Sequence, residues 1–200
     1  MAGGDFWDGA NTGFWNGFAT GAITGGITGG VDAYFKGANV WTGKHEPAVW
    51  SYDIAPKVLK NGVEVYEHSF VPDESYSTMT SQQKGKWGTN ETVNNINVDY
   101  YSKEVSFRVN NNVVYRSDIT ATKGKTLYIF EVKTGVKMHY TDNQITALPL
   151  LQKNAPIEPF GNNAKRFINT LHKNDRFLNF DINSTYTNYK FIFIHHKPIK

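Results

Sequence analysis

Hydrophobic and polar positions alternate most clearly between Val113 and Lys133. Val113-Val114-Tyr115-Arg116-Ser117-Asp118-Ile119-Thr120-Ala121-Thr122 and Lys125-Thr126-Leu127-Tyr128-Ile129-Phe130-Glu131-Val132-Lys133 flank Lys123-Gly124. Both arms are rich in β-branched and aromatic residues, which predicts a hairpin with a two-residue loop. Side chains alternate faces along a strand, so Leu127, Ile129, Glu131 and Lys133 share one face, and Tyr128, Phe130 and Val132 the other. With Lys123-Gly124 as the loop, Thr122 meets Lys125 and Asp118 meets Ile129. Asp118 is then diagonal to Glu131 on one face, at roughly 7–8 Å between backbones.

Other periodic segments extend this reading. Lys57–Lys60 and Val63–Glu67 read as a hairpin around Asn61-Gly62. Residues 72–90 are polar and read as loop, followed by a short helix from Glu91 to Ile96. Glu104–Val109 reads as a strand with Val105, Phe107 and Val109 on one face, turned by Asn110–Asn112 into the Asp118 arm. Thr141-Asp142-Asn143-Gln144 has the form of a capping box and opens a helix through about Gln152, in which Pro149 should produce a kink or an early end. Ala164, Phe167, Ile168 and Leu171 form the apolar stripe of a second helix. Phe177–Phe180 and Tyr189–Ile194 read as strands. The expected fold is α/β, a mixed β-sheet flanked by helices.

The first forty residues follow another pattern. No charge occurs from Gly9 to Val31, and glycines recur every four residues from Gly9 to Gly29. As a helix this segment would present a smooth stripe for close packing, and its length could span a bilayer. Its eight glycines, with Asn and Thr, make a poor autonomous helix, so a close-packing or conditionally membrane-active segment is favoured over a resident span. The organisation expected is a Gly-rich leader over 1–43, a linker and hairpin over 44–80, and the main domain over 81–200.

Charge changes the picture at the C-terminus. The net charge of +3 divides into −2 for residues 1–40, zero for 41–150 and +5 for 151–200. A basic last quarter (Lys165, Arg166, Lys173 and Arg176 among it) suits a polyanionic partner, although taken by itself a solvated basic surface is the better account of it. The absence of cysteine excludes disulfides and thiolate metal sites. The acidic start, Met-Ala-Gly-Gly-Asp-Phe-Trp-Asp, is unlike a signal peptide.

Two carboxylates on one face, Asp118 and Glu131, are the chemistry that Mg²⁺ uses when it keeps waters and substrate phosphates in its shell. Lys133, one step along that face, could orient a water or neutralise developing charge. A cross-strand salt bridge between Glu131 and Arg116 explains the same residues without chemistry. The histidines add little. His195 and His196 point to opposite faces of a strand and read as a structural or exposed pair, His139 as a loop residue, and His172 as a complement to a helix dipole.

Arg116-Ser117-Asp118, then Tyr128-Ile129-Phe130-Glu131-Val132-Lys133-Thr134-Gly135 and Asp142-Asn143-Gln144, resemble the PD-(D/E)xK nuclease superfamily. The likeness is greatest to restriction-endonuclease-type toxin domains of polymorphic bacterial toxins, over roughly residues 85–155. The Gly-rich start, through Trp41-Thr42-Gly43, is similar to the segment that joins an Rhs-type repeat cage to its toxin. The resemblance implies a restriction-endonuclease-like core and a nuclease, expected to cut DNA in the cytoplasm of a target bacterium. Asp118 and Glu131 would bind Mg²⁺ or Mn²⁺, Lys133 would position water, and Gln144 would support the site. Glu91 would add a further acid, and Lys165, Arg166, Lys173 and Arg176 would hold nucleic acid. Implied partners are DNA, a cognate immunity protein, and the parent cage with its secretion apparatus (type VI among the routes). Ser117 stands where the family name has Pro, and Leu148 where some relatives carry Tyr. Two rivals remain: a membrane-active toxin working through residues 9–31, in transient contact with a bilayer, and a non-catalytic binding module.

Overall fold

The computed structural model describes Val49 and residues 57–59, 63–174 and 179–199. These fall in one compact unit, Val49–Lys200. The Gly-rich leader, the Asn61-Gly62 turn, and Arg176, Phe177 and Leu178 lie outside the described residues.

Nine strands and four helices occur among the described residues: β1 Lys57–Val58, β2 Glu64–Phe70, α1 Glu74–Thr78, α2 Ser81–Asn94, β3 Tyr100–Lys103, β4 Ser106–Val109, β5 Val113–Arg116, β6 Ile119–Lys123, β7 Thr126–Thr134, α3 Asp142–Gln152, β8 Ile157–Phe160, α4 Gly161–Lys173 and β9 Tyr189–Pro198. They form an α/β fold with a mixed six-stranded sheet, β1-β2-β9-β7-β6-β3, and a three-stranded sheet, β5-β4-β8. β9 is parallel to both β2 and β7, and the other pairings are antiparallel. β1 and β2, read from sequence as a linker hairpin, are thus the edge of the main sheet.

The central strand, β7, is covered on both faces, which is why its sequence is almost continuously apolar. Leu127 and Ile129 join one core with Val105, Phe107, Tyr115, Leu148, Leu151, Phe167 and Phe193. Tyr128, Phe130 and Val132 join a second with Ile119, Ala121 and Ile194, and Val93 and Ile96 from the α2 region pack on it. β5, β4, α3 and α4 therefore serve the face that carries Glu131, and α2 serves the opposite face.

Four expectations need correction. The hairpin loop is Gly124-Lys125, because the register pairs Lys123 with Thr126 and Ile119 with Phe130. Gly124 has φ +57, the conformation that a Gly-X hairpin turn assigns to its first residue. The ladder ends at Ile119–Phe130, and Asp118 lies just beyond it, donating its N–H to the Phe130 carbonyl (3.1 Å) instead of pairing with Ile129. Its side chain accepts from the Val132 N–H, which keeps it beside Glu131.

The Asp118 arm is also not one strand. β5 pairs with β4 in the small sheet and β6 with β7 in the large one, and the chain turns between them at Ser117-Asp118. The turn is held by Ser117, which donates its N–H to Val105 (2.9 Å) and shares a hydrogen bond with Thr120 Oγ1 (2.8 Å). Arg116 consequently pairs with Ser106 and does not face Glu131.

Residues 72–90 are mostly helical. Asp73 caps α1 by accepting from the Tyr76 N–H (2.7 Å). Thr80 and Gln83 form a reciprocal capping box that starts α2, so Glu91 belongs to the last turn of a 14-residue helix. Finally, Phe180 is a buried coil residue, and β9 runs on to Pro198, which buries His195 and His196. The Thr141–Gln144 capping box and a helix end at Gln152 are as expected, with Pro149 inside the helix.

Candidate active site

Four elements meet around Glu131. β7 supplies Glu131 and Lys133, the β5–β6 turn supplies Asp118, the first turn of α3 supplies Gln144, and β5 supplies Tyr115. Glu131 is wholly buried. Its Oε1 accepts from Gln144 Nε2 (2.6 Å) and pairs with Lys133 Nζ (2.9 Å); its Oε2 accepts from Tyr115 Oη (2.7 Å). Lys133 also donates to Gln144 Oε1 (2.9 Å) and lies 5.8 Å from the centre of the Tyr140 ring. Gln144 is held in turn by its capping role, its Oε1 accepting from the Thr141 N–H at 3.1 Å. The capping box read from sequence thus also aims an amide at Glu131.

Asp118 Oδ2 accepts from the Val132 N–H (2.7 Å), while no donor among the described residues reaches Oδ1. Burial is the main reason its pKa rises to about 7; the Glu131 charge adds to it, and the Val132 N–H, Lys133 and Arg116 oppose it. Burial also raises Glu131, against the pull of Lys133 and Tyr115. Tyr115, buried beside both acids, is pushed well above the ordinary phenol range and stays a hydrogen-bond donor.

The structure therefore brings Asp118, Glu131, Lys133 and Gln144 together. Glu91 is not with them. α2 lies across the Tyr128–Phe130–Val132 face, where Glu91 Oε1 accepts from Asn95 Nδ2 (3.0 Å) and its charge acts on His68. Lys165, Arg166 and Lys173 are exposed on α4. His139 is exposed, and His172 Nε2 lies 3.4 Å from Asp181 Oδ1. His195, expected to be exposed or merely structural, is buried on the same face as Lys133, its partner across the β7–β9 ladder. Its Nε2 is 2.8 Å from the Gly135 carbonyl oxygen, and its Nδ1 is 3.5 Å from Glu67 Oε2.

Tyr115 is the site residue that the sequence reading missed. A single strand from Val113 to Thr122 would put it on the face opposite Asp118. The turn at Ser117 reverses that alternation and delivers its hydroxyl to Glu131.

Among the described residues no group of three or more His, Asp or Glu side chains is arranged to hold a metal. The Asp118–Glu131 pair is a two-carboxylate set. It suits a hard cation that fills its remaining positions with water and phosphate oxygens, as Mg²⁺ and Mn²⁺ do. The raised pKa values point the same way, because two crowded buried carboxylates are relieved by a cation between them. Comparison with family models, curated proteins and solved structures finds no match for this chain.

Proposed function

We propose that the chain is a metal-dependent nuclease toxin that hydrolyses phosphodiester bonds of DNA. The observation that carries this reading is the buried carboxylate of Glu131, hydrogen-bonded to Gln144 and paired with Lys133, with the half-buried Asp118 close enough for the two charges to raise each other's cost. Such a group is costly as pure structure: two acids are desolvated side by side, and only one has a lysine against it. Perturbed acids of this kind concentrate at functional sites.

Asp118 and Glu131 would hold Mg²⁺ or Mn²⁺, which when bound acidifies water and offsets charge on the phosphate. Lys133, with Nζ at the edge of the pair and its side chain 18 % exposed, would orient the attacking water. Gln144 fixes Lys133 and Glu131 relative to each other. Exposed Lys165, Arg166 and Lys173 would hold the phosphate backbone without reading sequence, weakening with salt. In this proposal the toxin comes from a larger Rhs-type protein, acts in the cytoplasm of a target bacterium, and is neutralised in its producer by an immunity protein. The restriction-endonuclease-like assignment of the core belongs to the same proposal.

A second reading is favoured by one feature. Both Glu131 oxygens already have protein donors, as in a buried ion pair of a non-catalytic binding module. The test of both is incubation of wild-type and Glu131→Ala protein with supercoiled plasmid and total RNA, in Mg²⁺ or EDTA. Mg²⁺-dependent loss of supercoils by the wild type alone supports the nuclease. Degradation of RNA alone keeps the site and changes the substrate. Cleavage of neither supports the binding module. The membrane-active alternative concerns residues 9–31, outside the described residues; no helix among the described residues is long and apolar enough to cross a membrane.

A further inference from the structure

The three donors around Glu131 divide its carboxylate unequally. Oε1 takes two of them, Gln144 Nε2 and Lys133 Nζ, at 2.6 and 2.9 Å. Oε2 takes one, Tyr115 Oη, at 2.7 Å. A carboxylate oxygen has two acceptor positions, so Oε1 is filled and Oε2 keeps one. On Asp118, Oδ2 beside the Val132 N–H keeps one position and Oδ1 keeps both, which makes Oδ1 the better ligand atom.

We propose that Tyr115 is a positioning residue for the metal: its hydroxyl fixes the Glu131 carboxylate, leaving Oε2 as the oxygen that, with Asp118 Oδ1, would hold a cation. The inference rests on the metal-dependent reading given above and adds to it the two ligating atoms and the residue that orients one of them.

Tyr115 is suited to this role. It is 1 % exposed and reaches Glu131 from the other sheet. Its ring is fixed by the core around β4 and β5 and by an edge contact with Phe191 (6.5 Å between centres). It has no carboxylate or imidazole to compete for a metal. A hydrogen bond from outside the ligand set that fixes a ligand's rotamer is worth about 10- to 100-fold in metal affinity. Sheet packing alone does not require the hydroxyl, because a Phe ring would fill the same apolar space.

The experiment compares full-chain wild type with Tyr115→Phe by calorimetric titration with Mn²⁺, alongside thermal unfolding without metal. The expected result is a Kd for Mn²⁺ at least about 10-fold weaker in Tyr115→Phe, with kcat for plasmid cleavage reduced and KM for plasmid unchanged. Equal Mn²⁺ affinity in the two proteins overturns the proposal and leaves the nuclease reading standing. No Mn²⁺ binding by the wild type removes both.

A crystal of the wild type soaked in Mn²⁺ gives a second test that needs no variant. Anomalous density against Glu131 Oε2 and Asp118 Oδ1, with Tyr115 Oη still on Oε2, supports the assignment. Density against Oε1, with Lys133 displaced, overturns it.

Discussion

Lys133 Nζ lies 2.9 Å from Glu131 Oε1, although the two residues are two apart on one strand and Glu131 is fully buried. Neighbours i and i+2 on a strand share a face, so the lysine can fold back over the acid beside it. It neutralises a charge that water cannot reach. Lys133→Met is therefore expected to destabilise the protein by about 1–3 kcal/mol at pH 8, by leaving the acid without its counter-charge. The raised pKa of Glu131 makes the loss smaller at a more acid pH, where the acid takes up a proton sooner than an ordinary carboxyl does. Urea unfolding at the two pH values checks this; an equal loss at both would contradict it.

Asp118 should act in the opposite sense. Its folded pKa of about 7 lies above the ordinary carboxyl value of 3.8. Between those values the unfolded chain has released the proton and the folded chain has kept it, so stability falls as pH rises through this window. Asp118→Asn is expected to raise the melting temperature of the metal-free protein at pH 8 and to leave it nearly unchanged at pH 4. It should also abolish stabilisation by added Mg²⁺, which raises the wild-type melting temperature by mass action. Thermal scans of both proteins with and without Mg²⁺ decide the point.

Acid should loosen the other face of the sheet. His68 and His196 meet there through Nδ1 atoms 3.0 Å apart, and His196 Nε2 is 2.9 Å from Thr92 Oγ1 on α2. Burial, His68 and His195 lower His196 to about 3, and burial lowers His68 against the charge of Glu91. A histidine depressed in this way contributes stability that is complete above the unfolded value of 6.5 and lost as pH falls towards the folded value. The contribution lost from His196 by pH 4 is on the order of 3 kcal/mol. Trp87, with its ring centre 5.7 Å from that of His196, reports the change. Its fluorescence should shift with acid in the wild type, and the midpoint should move down in His68→Gln, which removes one of the two cations.

Gly88 marks a close approach of α2 to β7. A Cβ there would fall 1.9 Å from Thr134 Oγ1 and 3.2 Å from Thr134 Cβ. Gly88→Ala gains helix propensity but forces the two elements apart or turns Thr134, for an expected net loss of about 1–2 kcal/mol. Thr134→Ala in the same chain should restore most of it. A double-mutant cycle by chemical unfolding measures the coupling, and additive losses would show that the clash is absorbed elsewhere.

The parts of this architecture that depend on local alternation were legible in the chain. The β6–β7 hairpin, the capping box at Thr141–Gln144, and the Ala164–Leu171 stripe are each set by neighbours within a few residues. Asp118 could be placed near Glu131 because the hairpin brings the ends of its two arms together wherever within Lys123–Lys125 the loop falls. α2 was hidden by composition: only Gly88 and Thr92 are buried along it, so it carries no apolar stripe. Its Thr80–Gln83 capping box was the one available signal. Tyr115 was hidden for a different reason. The break at Ser117 is fixed by its bonds to Val105 and Thr120, a tertiary arrangement that no periodicity in residues 113–122 announces.

That break has a consequence for how the protein could be silenced. Tyr115 and Glu131 sit on different sheets, and Asp118 sits on the hinge of chain between them. The constellation is therefore a gauge of how the β4–β5–β8 layer is seated on the larger sheet. A molecule that gripped the outer side of that layer and tilted it slightly would pull the phenol and one carboxylate out of line with the other. It would disarm the proposed centre from behind, leaving each of its side chains chemically intact.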